Sequence, residues 1–430
     1  MDILSQLRSL FHAPLARGRL CVWAAAVLLV LVGIFVRTVP WSKFNSVGFD
    51  EVVYRTYVVG LDHVGLDHYP EICQLYTEQQ KQPGARNKLP PTRFLYIYCG
   101  WVAKRIAFGD APPLSIQAPG FAQSDPALVS LHRASSFFLS LMLLAAGICA
   151  WRMFGAVRGL GVLALMVFSP LQIHMAQHAF IDGFFAAWAT LCVWLLWENL
   201  RRPDHGGWLA AYGVCLAAMV MTKENAFFVY VGLCGLLAVN RWARFGVITR
   251  RLLCVMVAGP LAGVAVLVYL AGSVDVFFEM FRLYVVGGVK LPYAIATQDG
   301  PWYRYLIDLM LINPLVLCLA IGGLFTCAKT SRPLLYLSAF AGFTYLVMCN
   351  VRYGMNLRFA TIWELPLCAL AAAQVDAMSR AFGKRSALVG AFLLAALCAY
   401  SLRQYVILFV DNSVYDIVSE PLLRAVKILK

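Results

Sequence analysis

The sequence predicts an all-α polytopic membrane protein with about eleven transmembrane helices. Three observations point there. Of the 430 residues, 61% are hydrophobic and only 13% charged, whereas soluble domains run to about 45–50% apolar and about 25% charged. The apolar residues gather in runs of roughly 17–23 residues, the length at which a helix crosses about 30 Å of hydrocarbon. A closed β-barrel would show short segments of alternating character instead. The third observation is a sorting of charge between alternate loops.

The first run, LCVWAAAVLLVLVGIFVRT (20–38), follows a segment, 1–19, that carries Arg8, Arg17 and Arg19. VRTVPWSK follows it and offers no small-residue cleavage site, so it reads as an uncleaved first helix with a cytosolic N-terminus. Further spans are expected near 130–150, 159–176, 179–198, 207–222, 226–239, 252–271, 306–326, 334–350, 362–377 and 387–410. The apolar stretch 159–198 is divided at the polar patch around 174–182. With this topology, short basic loops such as RWARFGVITRR and SRAFGKRS fall on the cytosolic side, as the positive-inside rule requires. The net charge of +14 is then a matter of topology. It calls for no nucleic-acid partner, because no basic patch with interleaved aromatics is present.

The transmembrane domain thus runs over 20–410, and 411–430 forms a short extracytoplasmic tail. On the outer side lie 39–129, 272–305 and 351–361. The first of these is far longer than a helix–helix connection needs, which marks a functional segment. Within it, TRFLYIYCGWVAKRIAFG (92–109) reads as a helix lying in the membrane interface. Cys73 and Cys99 are the two cysteines placed in this polar loop, where a disulfide between them is an open alternative. The other cysteines lie in or beside apolar runs, without metal-ligand spacing. No internal repeat is evident, against a transporter built from inverted halves.

The unusual polar groups collect at the outer edge. SVGFDEVVYRTYV (47–59) places Asp50 and Glu51 just beyond the first span. SPLQIHMAQHAFIDG (169–183) spaces His174, His178 and Asp182 by four, on one face if helical. MTKENAFF (221–228) brings Lys223 and Glu224, and VRYGMNLRFA (351–360) brings Arg352 and Arg358 against the positive-inside trend. Each is a candidate functional group, because ionisable residues beside membrane spans are costly. Each also has a plainer reading. The acids would suit a helix N-terminus, the cations could snorkel to headgroups, and the histidine face could be a polar seam between helices. As a set, separated acids and three cations suit a substrate that is both phosphorylated and lipid-soluble. Asp50 and Asp182, if they converge, could hold a divalent cation, with His174 and His178 as further candidate ligands.

The order of these features resembles the GT-C fold membrane glycosyltransferases of the protein O-mannosyltransferase and aminoarabinose transferase type. The resemblance rests on the Asp-Glu pair, NKLPPTRFLYIYCGWVAKRIAFGD (87–110), LHRASSFFLSLMLLAAGICAWRMFG (131–155), FSPLQIHMAQHAFID, the Thr-Lys-Glu at 222–224 and NLRFATIWELPLCALAA (356–372). It implies transfer of a sugar from a polyprenyl-phosphate donor to a lipid, glycan or protein acceptor on the outer face, usually with inversion. Asp50 would be the general base or a metal-associated carboxylate, with Glu51 and Asp182 as the other catalytic acids. Lys223 and Arg358 would hold the donor phosphate, with Arg352 beside them. Relatives often carry an arginine where His178 stands, and several have a large outer C-terminal domain that is not seen here. The setting expected is a bacterial inner membrane, with the active site facing outward. A transporter or lipid flippase is the competing class. It would need polar groups through the membrane depth, and only Asp308 and Glu364 approach that, both near expected outer ends.

Overall fold

Helices account for the architecture of the computed structural model, which describes residues 14–40, 47–82, 89–288, 291–326, 328–352 and 354–429; no strand occurs among them. Residues 1–13 of the expected cytosolic segment, with Arg8, and Lys88 of the NKLPP stretch lie outside the described residues. The first span is α1 (Pro14–Thr38). The long outer loop folds into α2 (Phe49–Val64), α3 (Tyr69–Lys81) and α4 (Phe94–Phe108). The bundle continues through α5 (Pro126–Phe154), α6 (Ala156–Val167), α7 (Pro170–Gln177), α8 (Ile181–Arg201) and α9 (Gly206–Val220). Next come α10 (Ala226–Ala243), α11 (Arg250–Ala271), α12 (Val274–Gly288), α13 (Pro292–Thr297), α14 (Arg304–Ile312), α15 (Pro314–Thr326) and α16 (Arg332–Met348). The chain finishes with α17 (Glu364–Arg380), α18 (Ser386–Tyr405) and α19 (Ser419–Ala425).

Every expected span coincides with a helix or with two helices in series. Among the described residues, six stretches are long and apolar enough to cross a bilayer, seven if the bent pair α6–α7 counts as one. Side chains such as Leu28, Phe137, Tyr269 and Phe392 stay exposed on the outside of the bundle. That is what a hydrocarbon solvent permits, and the chain is an integral membrane protein.

Proline and its neighbours set the breaks. Ser169 caps α7, its hydroxyl accepting from the Gln172 N–H, and Pro170 opens the helix where its missing N–H costs nothing. The 159–176 span is therefore bent by 53° between α6 and α7. The carbonyls freed at the bend find Arg37, buried at the end of α1. Its Nη2 donates to Met166 O at 2.8 Å, and its Nη1 to Val167 O at 3.2 Å and Gly33 O at 3.0 Å. Backbone opened at membrane depth needs such partners. Likewise the 306–326 span divides at Asn313–Pro314, where the Asn313 amide donates to Ser401. Where α9 crosses α11, a Cβ at Gly263 would meet the Ala217 carbonyl oxygen at 2.7 Å, so only glycine allows this approach.

Two apolar cores result. The larger joins α5–α10 to α14–α18. The smaller packs α2, α3 and α4 over the N-terminal ends of α5 and α8 and the C-terminal end of α11, through Tyr54, Val58, Tyr96, Leu131, Phe184 and Leu267. Helix α4 coincides with the expected interfacial segment, but one face is buried: Tyr96 and Ile97 are enclosed, and Gly100 lies against Leu131. Cys73 and Cys99 are both free thiols, and Cys73 is buried at 3.9 Å from Leu270 O.

The two cores are tied by Asp125. It caps α5 by accepting from the Leu128 N–H at 2.9 Å, and it takes the Arg55 guanidinium of α2 at 2.9 Å while fully buried. Asp125→Ala removes a cap and leaves a buried cation without its partner, a loss of about 3–5 kcal/mol. We expect a lower thermal unfolding midpoint in detergent and early protease cutting in 49–124.

Candidate active site

The N-terminal ends of α2 and α8 and the residues just before α10 meet the turn 357–363 in a single cluster of charge. Helix α2 begins at Gly48, where a Cβ would collide with the Tyr415 hydroxyl arriving from the C-terminal segment. Of the two acids that open α2, one points into the protein and the other toward the cluster.

Glu51 is the inward one. Its Oε1 accepts from the Ala179 N–H at 2.7 Å and lies 2.9 Å from His132 Nε2 and 3.6 Å from His178 Nδ1. Its Oε2 accepts from the Gly48 N–H and the Tyr415 hydroxyl, each at 2.9 Å. Burial pushes the carboxyl up, but the two imidazoles outweigh burial and hold it well below the usual carboxylate range. With both oxygens occupied, Glu51 fixes the start of α2 to α5, to the α7–α8 connection and to the C-terminal segment.

Asp50 is partly open, its side chain 23% exposed, and its Oδ2 accepts from Arg358 Nη1 at 2.9 Å. Arg358 is almost fully buried and turns its Nε toward Asp182 Oδ2 at 3.9 Å. Asp182, in the first turn of α8, forms a close ion pair with Lys223 through Oδ1. Acid and base therefore alternate in one chain: Asp50, Arg358, Asp182, Lys223. Aromatic faces line it, with the Lys223 ammonium 4.0 Å from the Phe359 ring centroid and the Arg358 guanidinium 4.9 Å from that of Phe180. Burial lowers the Lys223 pKa to about 8, although Asp182 works in the opposite direction. Arg358, despite its burial, is held above its ordinary value by Asp50 and Asp182.

A second ion pair flanks the first. Arg93 grips both oxygens of Glu224 at 3.0–3.2 Å and donates to the hydroxyls of Tyr54, on α2, and Tyr284, on α12. Arg352 stands apart, exposed at the mouth of a cavity of about 690 Å³ that Lys223 also lines. The rest of that cavity is largely apolar, built by Phe227, Leu267, Phe281, Tyr284 and Phe359 from α10, α11, α12 and the turn after residue 356.

The structure thus brings Asp50, Asp182, Lys223 and Arg358 together and gives Glu51 a separate, anchoring position. The histidines depart from the expected single helical face. Helix α7 ends at Gln177, His178 is extended (φ −118°, ψ 160°), and α8 starts only at Ile181. His174 stacks on Phe409 at 4.0 Å, with Nε2 3.2 Å from Tyr415 O, which makes it part of a polar seam. Among the described residues, no three of His, Cys, Asp and Glu gather as a metal-binding set, and the Arg358 guanidinium lies between Asp50 and Asp182. A divalent ion does not fit that arrangement. Asp308 Oδ1 and Glu364 Oε2 accept from the hydroxyls of Ser419 and Ser169, each at 2.6 Å, and Asp308 Oδ2 lies 3.6 Å from Arg304 Nε. Sequence reasoning missed Arg93, Tyr54, His132 and Tyr415. Arg93 alone had a signal, as a cation next to the Pro-Pro of the 87–110 stretch.

This is the GT-C fold, as comparison with solved structures bears out. The apo structure of ArnT from Cupriavidus metallidurans superimposes with a TM-score of 0.53 at 18% identity, covering 86% of this chain and 63% of that one. The same enzyme bound to undecaprenyl phosphate gives 0.50 at 16% identity, covering 91% and 70%. The oligosaccharyltransferase AglB from Archaeoglobus fulgidus, in complex with an inhibitory peptide and a dolichol-phosphate, gives 0.58 at 14%, covering 90% of this chain and 56% of that one. The chain therefore spans less than two thirds of the length of apo ArnT. Residues 105–282, less than half of the chain, match the model of the family described as dolichyl-phosphate-mannose-protein mannosyltransferase. No curated protein matches the sequence.

The two acids of α2 should separate experimentally. Glu51→Gln places amide hydrogens against groups that already donate and costs about 3 kcal/mol, so its thermal unfolding midpoint should fall by several degrees. Asp50→Asn, at a partly open site and with Asp182 still facing Arg358, should lower that midpoint less than Glu51→Gln does.

Proposed function

We propose that the protein is a membrane glycosyltransferase that moves a sugar from a polyprenyl-phosphate donor to an acceptor at the outer face of the membrane. One observation carries this reading: a buried chain of alternating charge, ending in Lys223, at the wall of an apolar cavity bordered by α10, α11 and α12. A molecule that presents an isoprenoid tail to Phe227 and Phe281 and a phosphate to Lys223 fits such a site.

The acceptor oxygen attacks the anomeric carbon while Asp50 takes its proton. The bond from that carbon to the phosphate oxygen breaks, and the electron pair leaves with the polyprenyl phosphate. Lys223 and Arg358 are positioned to stabilise the charge gained by the leaving phosphate, and they need little rearrangement to do so. Asp182 holds both cations in place, and Arg352 guards the cavity mouth. Because Arg358 occupies the space between the two aspartates, no step is routed through a metal.

The reading extends to topology. The bent pair α6–α7 and the successive helices α14 and α15 each count as one crossing, which with α1, α5, α8–α11 and α16–α18 makes eleven. The basic loops then lie in the cytosol, and the charged cluster lies on the outer face of a bacterial inner membrane.

The test is mass spectrometry of lipid-linked sugars in cells lacking the protein, complemented with wild type or Asp50→Asn. A polyprenyl-phosphate sugar should accumulate in the null and Asp50→Asn cells and fall with wild type. Turnover in the variant should drop by about 10²–10⁴. An unchanged lipid pool would overturn the transferase reading, and full complementation by Asp50→Asn would remove Asp50 as the base.

Lys223 supplies a second check. Its lowered pKa means that it loses its charge as pH rises through about 8, so polyprenyl phosphate affinity should weaken above that point. The slope should approach roughly tenfold per pH unit. In Lys223→Arg the affinity should stay flat from pH 7 to 9, since guanidinium does not titrate there.

A further inference from the structure

Two segments distant in the chain converge beside Arg358, and both are fixed in place. One is α13 with the turn that follows it. The buried Arg304 donates to the carbonyls of Thr297 and Asp299, and the Met355 N–H donates to Gln298 O at 3.0 Å. The end of α13 is thereby tied to the chain entering the turn 357–363. The other is 414–419. Its Val414 N–H donates to Leu408 O at 3.0 Å, its Tyr415 hydroxyl reaches Glu51, and its Ser419 hydroxyl holds Asp308. Side chains carried on such pinned backbone keep their aim.

The Tyr415 ring packs on Phe180 at 5.1 Å, and the Arg358 guanidinium lies over that same ring at 4.9 Å. The next residue, Asp416, therefore stands beside Arg358 and supports its charge along with Asp50 and Asp182. Tyr293 of α13 turns its hydroxyl to the Asp416 carboxylate, and Gln298, just after α13, lines the apolar cavity. Asp416 is half-buried, and unlike Asp50 and Asp182 it forms no ion pair among the described residues. Two acids thus remain partly open beside Arg358, Asp50 and Asp416. A carboxylate accepts hydrogen bonds and donates none, so an open pair of them calls for donors. Sugar hydroxyls are such donors, and their bonds to a carboxylate are charge-assisted. A sugar bearing its own carboxylate would meet like charge.

We propose that Asp416 and Tyr293 determine sugar specificity: they hold hydroxyls of the donor sugar and restrict the enzyme to hydroxyl-rich sugars without an acidic group. The assignment rests on the transferase reading and deepens it. With the polyprenyl chain in the apolar cavity and the phosphate at Lys223 and Arg358, the sugar occupies the space that Asp50 and Asp416 border. Asp50 is left to face the acceptor, and Asp416 grips the sugar.

The experiment measures the affinity of the full chain in nanodiscs for bare polyprenyl phosphate, mannosyl polyprenyl phosphate and mannuronosyl polyprenyl phosphate. The last two differ only at C6 of the sugar. Wild type should prefer the mannosyl to the mannuronosyl lipid by about tenfold or more. Asp416→Asn should cut that preference by about fivefold or more and leave the affinity for bare polyprenyl phosphate within about twofold. Tyr293→Phe, which keeps the ring, should weaken the mannosyl lipid by about threefold or more and spare the bare one. Equal binding of the two sugar lipids by wild type, or a preference unmoved by Asp416→Asn, would overturn the proposal. So would a parallel loss of bare polyprenyl phosphate in that variant, which would make Asp416 a structural residue. The two readings fail separately. Wild type that binds none of the three lipids defeats the transferase reading and this inference with it, whereas binding of the bare lipid without sugar preference defeats this inference alone.

Discussion

A charge buried at the edge of a membrane is tolerated only in company, and the pairing of Arg358 with Asp50 and Asp182 is the constraint on which this end of the helix bundle depends. Asp182 and Lys223 are both almost completely enclosed, and either one alone would cost several kcal/mol. Joined through Arg358 to the partly open Asp50, they become a run of compensated charge whose free end faces an apolar cavity. Under the proposed function, such a run is stable at rest and open to an incoming anion, because a phosphate would draw on the same cations that the carboxylates hold. On that reading, stability and recognition rest on one set of contacts.

The scaffold around this run is arranged to keep it rigid. Glu51 joins α2 to three other segments, Asp125 locks α2 to α5, and Arg93 draws Tyr54 and Tyr284 against Glu224. Each of these is an ion or a charge-assisted hydrogen bond in a water-poor setting, where such bonds are strong and directional. The apolar side chains of α2, α3 and α4 supply bulk, while these few polar contacts supply register.

Much of this was legible in the sequence, for different reasons in different places. The helices were legible because hydrocarbon thickness imposes their length, so every span found a counterpart. Asp50, Asp182, Lys223 and Arg358 stood out because charge is scarce near spans. Their convergence was not legible: Arg358 meets Asp50 across 308 positions, and no local pattern encodes such a pairing. The opposite fates of Asp50 and Glu51 were hidden too, since adjacent residues on a helix differ by a rotation that only the neighbours reveal. The extended backbone at His178 defeated a spacing argument that presumes an unbroken helix. The break before it, at Ser169–Pro170, follows from local chemistry.

The Tyr415 hydroxyl that reaches Glu51 across 364 positions bears on how the protein is made. During synthesis the start of α2 emerges more than 300 residues before the partner that secures it. Asp50 must likewise wait for Arg358. The two acids of α2 therefore wait for their partners through the synthesis of more than 300 residues. A chain stalled before residue 415 would hold α2 without this tie, so the intact charged cluster is itself a record that the segment around Tyr415 has folded back.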